Sequence, residues 1–166
     1  MPTRLERPRN PRLPDELIDR WRAVPAAVAA DQLGGTAHAD ARIRPLRAFA
    51  AGTRLTGSAV TAWCEPADYG PVHHAIDAAG SGDVIVVAAG GRRDAAMIGE
   101  LLSSAARLKG IAGVVVDGAV RDTGTLAQWP DFFRLLPLDH APRPDLDGAR
   151  RGQRPDRVRG RAGLAP

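Results

Sequence analysis

Three side chains that are able to act together lie at a fixed spacing in the middle of the chain. Glu100 is followed by twenty residues and then by Arg121 and Asp122. An arginine is permanently charged, and its planar fork grips the adjacent oxygens of an anion. A carboxylate is a hard oxygen ligand that suits Mg2+ or Mn2+. These residue types indicate a site for a small anion beside a divalent cation, if the fold brings both ends of the spacing together.

The elements around these residues predict that the two ends meet. Residues 84–88 and 113–117 are short β-branched runs closed by glycines, which is typical of strands buried on both faces. Between them, apolar residues recur at three- and four-residue steps from 98 to 108, which predicts a helix that Gly110 ends. A crossover of this length favours parallel strands, whose carboxyl ends open on one edge, where α/β proteins place their sites.

The same residues also have simpler interpretations. Gly99 and Glu100 lie near the amino end of the predicted helix, whose unpaired N–H groups suit a carboxylate. Taken alone, Glu100 is a first-turn acid that favours the helix dipole, and Arg121 with Asp122 is an exposed pair. Asp117, at the end of a predicted strand, is either a turn-stabilising carboxylate or a catalytic one. Neither periodicity nor spacing identifies a substrate.

The motifs in this stretch resemble a known family. GDVIVV, the double glycine at 90–91, GELLSSAARLKGIAGVVVDGAVRD, and upstream DQLGG, IRPL and GTRLTGSAVT carry the resemblance. They are similar to the family that joins the regulator of ribonuclease activity A to the divalent-metal 4-hydroxy-4-methyl-2-oxoglutarate aldolases. The similarity runs from about residue 13 to about residue 133, and the spacing of an acid, twenty residues and Arg-Asp matches the aldolase signature.

The resemblance implies an activity and a role for each site residue. The reaction is retro-aldol cleavage of 4-hydroxy-4-methyl-2-oxoglutarate, or a similar 4-carboxy-4-hydroxy-2-oxo acid, with oxaloacetate decarboxylation through the same pyruvate enolate. Arg121 stabilises the developing negative oxygen, and Asp122 binds Mg2+ or Mn2+. Glu100 orders a water on the metal or assists proton transfer. The backbone N–H groups expected to bind the substrate carboxylate are those of Gly99, Glu100, Leu101 and Leu102.

The resemblance also implies a fold and an assembly. Its members share a swivelling β/β/α fold, similar to phosphohistidine domains, in which a sheet or barrel is flanked by helices. They form ring-shaped homotrimers, sometimes stacked to hexamers, with sites near the subunit interfaces. Lys109 is the only lysine, and it lies at the far end of the predicted helix, which favours metal-dependent over imine-forming catalysis.

Two other functions remain open. The first is a non-catalytic regulator that binds and inhibits ribonuclease E, as the namesake of the family does, and metal-dependent turnover of a keto acid would distinguish the two. The second is a methyltransferase, a label that this family has sometimes carried, although the sequence shows no glycine-rich cofactor loop for it.

Composition narrows the class of protein. The 166 residues, 44% of them hydrophobic, predict one globular domain with a core. Cys64 is the only cysteine, so it forms no internal disulfide, and we interpret it as an inert, half-buried thiol in a cytoplasmic protein. No apolar run suits a signal peptide or a membrane span. Residues 1–133 hold fifteen basic and fifteen acidic side chains, so the folded part is not expected to bind nucleic acid.

The carboxyl-terminal segment departs from the family. We expect a disordered segment at 1–12, the domain at 13–133 and a disordered basic tail at 134–166, which holds eight arginines and five prolines. Such a segment is not expected to supply buried strands, so the strands that end the family fold would be missing or replaced. A shifted reading frame in a GC-rich gene is our hypothesis for this composition, and a naturally diverged tail is the alternative.

Other parts of the chain are interpreted structurally. Residues 14–30 predict a pair of packing helices broken at Pro25, and short strands are expected between 43 and 63. A helix is expected from about 70 to 79. It carries His73 and His74, which are adjacent and therefore point about 100° apart, so they do not suit one metal ion. Asp94 is expected to cap or precede the central helix.

Overall fold

The computed structural model describes residues 12–35, 38–65, 68–130 and 132–137. The predicted disorder of residues 1–11 and of most of the tail, 138–166, lies outside the described residues. The elements follow in the order α1 (Asp15–Arg22), α2 (Ala26–Gln32), β1 (Ile43–Pro45), β2 (Ala59–Trp63), α3 (Gly70–Ala78), β3 (Val84–Ile98), α4 (Glu100–Leu108), β4 (Gly113–Val120), α5 (Thr123–Ala127) and β5 (Phe133–Pro137).

The strands form one five-stranded sheet with the order β1-β5-β4-β3-β2. β2, β3, β4 and β5 are parallel neighbours, and β1 closes the other edge antiparallel to β5. The β-branched runs of β3 and β4 pair from Val84 with Gly113 to Ala88 with Asp117. The prediction of an α/β fold with parallel central strands is therefore confirmed.

The core lies between this sheet and the helices that follow β2 and β3. Ile85 and Val87 of β3 and Val114 and Val116 of β4 are at most 1% exposed. The partners from the helices are also buried, among them Val72, Ile76 and Ala106. The four strand residues lie on one face of the sheet, whereas Val86 and Val115 on the other face are only partly buried, so the expectation of strands buried on both faces holds for one face.

β3 is much longer than the run that predicts it. Its register with β4 shifts after Ala88, across Gly90 and Gly91, whose φ angles are 62° and 67°, and shifts again after Arg92 and after Ala96. Glycine adopts such left-handed backbone without a steric penalty, which explains the pair. Asp94 lies inside β3, where its carboxylate accepts a hydrogen bond from the Arg92 side chain. It does not cap the helix, because the strand continues to 98 and α4 begins only at 100.

β5 lies partly in the segment predicted as a tail. It begins at Phe133 and pairs in parallel with β4 from Gly113 to Val115, and its other side pairs with β1. The proline and arginine content of the tail obscured this strand. Pro137 is its last residue, opposite Ile43 of β1 and beyond the residues that pair with β4.

The two amino-terminal helices form close to where they were predicted, although α2 continues two residues past 30, and they pack little. Pro25 separates them, as expected. Ile18 is the one buried residue in α1 and α2, whereas Trp21 and Val28 are 46% and 48% exposed. A groove of about 440 Å³ lies between α1 and the turn at Ser81. The prediction of a packing helix pair holds only for Ile18.

Candidate active site

The structure brings the two ends of the spacing together at one edge of the sheet. Ile98 at the end of β3 pairs with Val120 at the end of β4. The Arg121 N–H donates a hydrogen bond to the carbonyl oxygen of Ile98 at 3.1 Å. Because both strands end here, Glu100 at the start of α4 lies beside Arg121 and Asp122.

The side chain of Asp122 contacts the start of α4. Its Oδ2 accepts a hydrogen bond from the Glu100 N–H at 2.9 Å. The φ angle of Asp122 is 58°, and no other non-glycine residue of the described ranges has a positive φ. Aspartate is one of the few residues that adopt this backbone at modest cost. Its carbonyl oxygen accepts the Leu126 N–H at 3.0 Å, so Asp122 joins the beginnings of α4 and α5.

Arg121 extends from this contact toward solvent. Its side chain is 69% exposed, and its Nε lies 3.7 Å from Oδ2 of Asp122, whose side chain is 34% exposed. An exposed pair at this distance contributes little energy, so it does little to restrain the guanidinium. The exposed guanidinium and the positive end of the α4 dipole therefore both favour an anion at this edge.

The first turn of α4 offers backbone donors. Gly99 is buried, Glu100 and Leu101 are exposed, and Leu102 is partly exposed. Helix geometry leaves the first N–H groups without intrahelical acceptors. The Glu100 N–H is already taken by Asp122, so the N–H groups of Leu101 and Leu102 are the candidates for a substrate carboxylate.

Asp122 is the candidate ligand for a divalent cation at this edge. No cluster of three or more His, Cys, Asp or Glu side chains within the described ranges has an arrangement that suits a metal ion. Mg2+ usually keeps several waters and uses one or two carboxylates. Asp122 has one oxygen on the Glu100 N–H and is partly exposed, which agrees with such a site.

Other polar residues have structural partners. The Lys109 Nζ donates to the carbonyl oxygen of Ile76, at the end of α3, at 2.8 Å. Burial raises the pKa of Cys64 to about 11, which opposes the thiolate form that a nucleophile requires. Asp117 does not end its strand as predicted, because β4 continues to Val120; its Oδ2 accepts the Gly91 N–H at 3.1 Å and so stabilises the bend in β3.

The described part of the chain has no helix that is long and apolar enough to cross a membrane.

Comparison with known sequences identifies the family. The RraA-like model, described as Aldolase/RraA, matches residues 15–136. A 4-hydroxy-4-methyl-2-oxoglutarate aldolase of Thermus thermophilus is 36% identical over 110 residues, which cover 66% of this chain and 56% of the relative. A Halalkalibacterium halodurans protein, provisionally named as the same aldolase, is 35% identical over 107 residues, 64% of this chain and 50% of the relative. The chain spans about half the length of the curated relatives it matches.

Solved structures show the same fold. The RNA-processing inhibitor RraA of Thermus thermophilus has a TM-score of 0.58 and 28% identity, with 68% of this chain and 66% of the other covered. Streptomyces coelicolor RraAS2, described as an unusual member of the RNase ES inhibitor RraA family, has a TM-score of 0.63 over 76% of this chain and 64% of the other. Its 24% identity supports the fold alone. From the match over residues 15–136 and these likenesses, the chain belongs to the Aldolase/RraA family.

Proposed function

We propose that this chain is a divalent-metal-dependent aldolase that cleaves 4-hydroxy-4-methyl-2-oxoglutarate, or a related 4-carboxy-4-hydroxy-2-oxo acid, to pyruvate, and that also decarboxylates oxaloacetate. The observation that carries the proposal is the contact of Asp122 with the start of α4 and of Arg121 with the end of β3, which places both beside Glu100. A guanidinium, a carboxylate and helix N–H groups suit a 2-oxo acid, whose carboxylate and keto oxygen are adjacent. The names of the sequence relatives support the choice of substrate.

Retro-aldol cleavage breaks the C3–C4 bond of the substrate. A base removes the proton of the 4-hydroxyl group, and C4 becomes the carbonyl carbon of one product. The electron pair of the broken bond forms the enolate of pyruvate, which then takes a proton at C3. Glu100, exposed at the start of α4, is the proposed proton acceptor and donor, directly or through one water. With oxaloacetate, carbon dioxide leaves and the same enolate forms.

Arg121 and the first turn of α4 orient the substrate and stabilise its charge. The N–H groups of Leu101 and Leu102 would bind the substrate carboxylate, helped by the dipole of α4. The Arg121 guanidinium would then face the keto oxygen, where negative charge develops. Removal of one such donor typically lowers kcat by about 10²–10³-fold. Arg121→Ala should therefore lose most of its turnover.

Asp122 would hold the divalent cation, Mg2+ or Mn2+, with Glu100 contributing through water. When bound there, the cation would supply Lewis-acid polarisation of the keto group. Asp122 would hold the cation while its Oδ2 keeps the hydrogen bond from the Glu100 N–H. The partial exposure of Asp122 suits a cation such as Mg2+, which retains several waters.

We also propose that the active form is a homotrimer or hexamer with the swivelling β/β/α fold. Leu101 and Leu108 are 79% and 89% exposed and lie seven residues apart on one face of α4, which borders the site. An apolar surface of this kind suits contact with a second subunit. A neighbouring subunit would also cover part of the exposed side of the site, where the Arg121 side chain is 69% exposed. We further propose a cytoplasmic location, because the single cysteine, Cys64, is a buried free thiol, which suits a reducing compartment.

A regulator that binds ribonuclease E is the second candidate function. The solved relative at 28% identity is described as an RNA-processing inhibitor, which favours this candidate. The fold does not discriminate between the two functions, because proteins with either name share it. The two candidate functions are distinguished only by whether the site at the edge formed by β3 and β4 turns over a keto acid.

The test is pyruvate release by the purified protein from 4-hydroxy-4-methyl-2-oxoglutarate and from oxaloacetate, with Mg2+ and with a chelator. Arg121→Ala is the site variant, and Arg20→Ala, on the exposed side of α1, is the matched control. We expect release that requires the cation, falls by about 10²-fold or more in Arg121→Ala, and is unchanged in Arg20→Ala. Equal release by both variants would remove Arg121 from the mechanism.

A further inference from the structure

We propose that Gly99 is a positioning residue, and that the absence of a side chain there is what allows Arg121 and Asp122 to lie against the start of α4. The consequence for catalysis rests on the proposed function, whereas the geometry does not. Gly99 is buried, and its φ of −145° is extended backbone that any residue adopts. The backbone conformation therefore does not require a glycine at position 99. The explanation for the glycine must be the lack of space for a side chain.

The space beside Gly99 is filled by the two site residues. A Cβ at this position would lie 2.5 Å from Oδ2 of Asp122, 2.6 Å from Cγ of Arg121 and 2.8 Å from Nε of Arg121. Non-bonded heavy atoms of this kind normally lie about 3.5–4.0 Å apart. Even one methyl group would therefore displace both side chains.

The displacement would be local. The Arg121 side chain is 69% exposed and that of Asp122 is 34% exposed, so both have room to rotate away. Rotation would break the bond from the Glu100 N–H to Oδ2 of Asp122, which is 2.9 Å long. The strand ends would stay paired, because the bond from the Arg121 N–H to Ile98 involves backbone only. The expected result is a folded protein whose site groups are misplaced.

The first test compares Gly99→Ala with Gly124→Ala. Gly124 lies in α5, and a Cβ there would meet no atom within 4 Å, so the same chemical change is made in open space. Mn2+ affinity is measured by electron paramagnetic resonance, and kcat and KM by pyruvate release. Gly99→Ala should weaken Mn2+ binding about tenfold or more and lower kcat by about 10²-fold. Gly124→Ala should match wild type. Wild-type Mn2+ affinity and kcat in Gly99→Ala would overturn the inference.

A second test needs no activity. Thermal unfolding is measured for Gly99→Ala in the wild-type chain and in Arg121→Ala/Asp122→Ala, from which the clashing atoms are gone. Loss of the Glu100 contact should lower Tm by about 3 °C or more in the first background and by less than about 1 °C in the second. Equal losses in the two backgrounds, or none in either, would contradict the inference.

The two tests separate failure of the inference from failure of the proposed function. If wild type neither binds Mn2+ nor releases pyruvate, the proposed function fails and the thermal comparison alone decides the role of Gly99. If Gly99→Ala does not fold, recovery of folding in the triple variant, Gly99→Ala/Arg121→Ala/Asp122→Ala, supports the inference. Persistent unfolding of the triple variant overturns it, because the damage would then not arise from Arg121 and Asp122.

Discussion

Replacement of Asp122 tests whether its side chain holds the start of α4. Asp122→Ala removes the acceptor of the Glu100 N–H, a change that typically costs about 1 kcal/mol at a helix amino end. Loss of the carboxylate charge beside the helix dipole adds about 0.3–1 kcal/mol. Alanine at a φ of 58° adds further strain, up to about 1 kcal/mol. The exposed contact with Arg121, at 3.7 Å, adds little.

The expected total for Asp122→Ala is a loss of about 1–3 kcal/mol in the free energy of unfolding. Two further variants separate the contributions. Asp122→Asn keeps an acceptor and tolerates the left-handed backbone, so it should lose only about 0.3–1 kcal/mol. Asp122→Gly loses the acceptor but adopts this φ without strain, so it should lie between Asn and Ala. The expected order of stability is Asp, Asn, Gly, Ala.

The assay is urea denaturation followed by circular dichroism, with a chelator present so that cation binding does not add to the stability of the wild type. A wild-type midpoint in Asp122→Ala would show that the Glu100 contact contributes nothing. A higher midpoint for Ala than for Gly would contradict the left-handed conformation of Asp122. Either result would refute the account of how the site is positioned.

Three other predictions concern residues outside the site. Burial raises the pKa of Cys64 from 9.0 to about 11. The contribution of the protonated thiol to the free energy of unfolding should therefore be complete below pH 9 and lost as the pH rises toward 11. Urea denaturation across that range measures this contribution, and a free energy of unfolding that does not change with pH would contradict the prediction. The Arg42 guanidinium lowers the pKa of Asp40 to about 2, so Asp40 should stay ionised in an NMR titration until the pH approaches 2, and Arg42→Ala should return its pKa toward 3.8. Lys109→Ala should lower the free energy of unfolding by about 1 kcal/mol, since the Nζ binds the end of α3, yet leave pyruvate release unchanged, whereas loss of release would indicate imine chemistry.

The central part of the fold was predictable from the sequence because its strands are short, continuous β-branched runs closed by glycines. The β-branched runs at 84–88 and 113–117 and the helix between them predicted parallel strands and a common edge. Glu100, Arg121 and Asp122 meet there as a consequence of that topology. The family resemblance, now supported by the match over residues 15–136, supplied the reaction.

The features that could not be predicted depend on tertiary contacts. Residues 92–97, Arg-Arg-Asp-Ala-Ala-Met, lack the alternation of a strand, so the extension of β3 to 98 was missed. β5 was missed because composition was judged over the whole tail, although Phe133–Pro137 alone is mostly apolar. The bond from the Glu100 N–H to Asp122 joins residues that are distant in sequence. The one available signal was the residue type of Asp122, since aspartate is enriched at positive φ.

The most direct test of the central claim measures pyruvate release and ribonuclease E inhibition on one preparation of the full chain, with Mg2+ and after chelation. The account predicts pyruvate release from 4-hydroxy-4-methyl-2-oxoglutarate that disappears with the chelator, returns on addition of Mg2+ or Mn2+, and is lost in Arg121→Ala. A folded protein that inhibits ribonuclease E and releases no pyruvate under any of these conditions would contradict it.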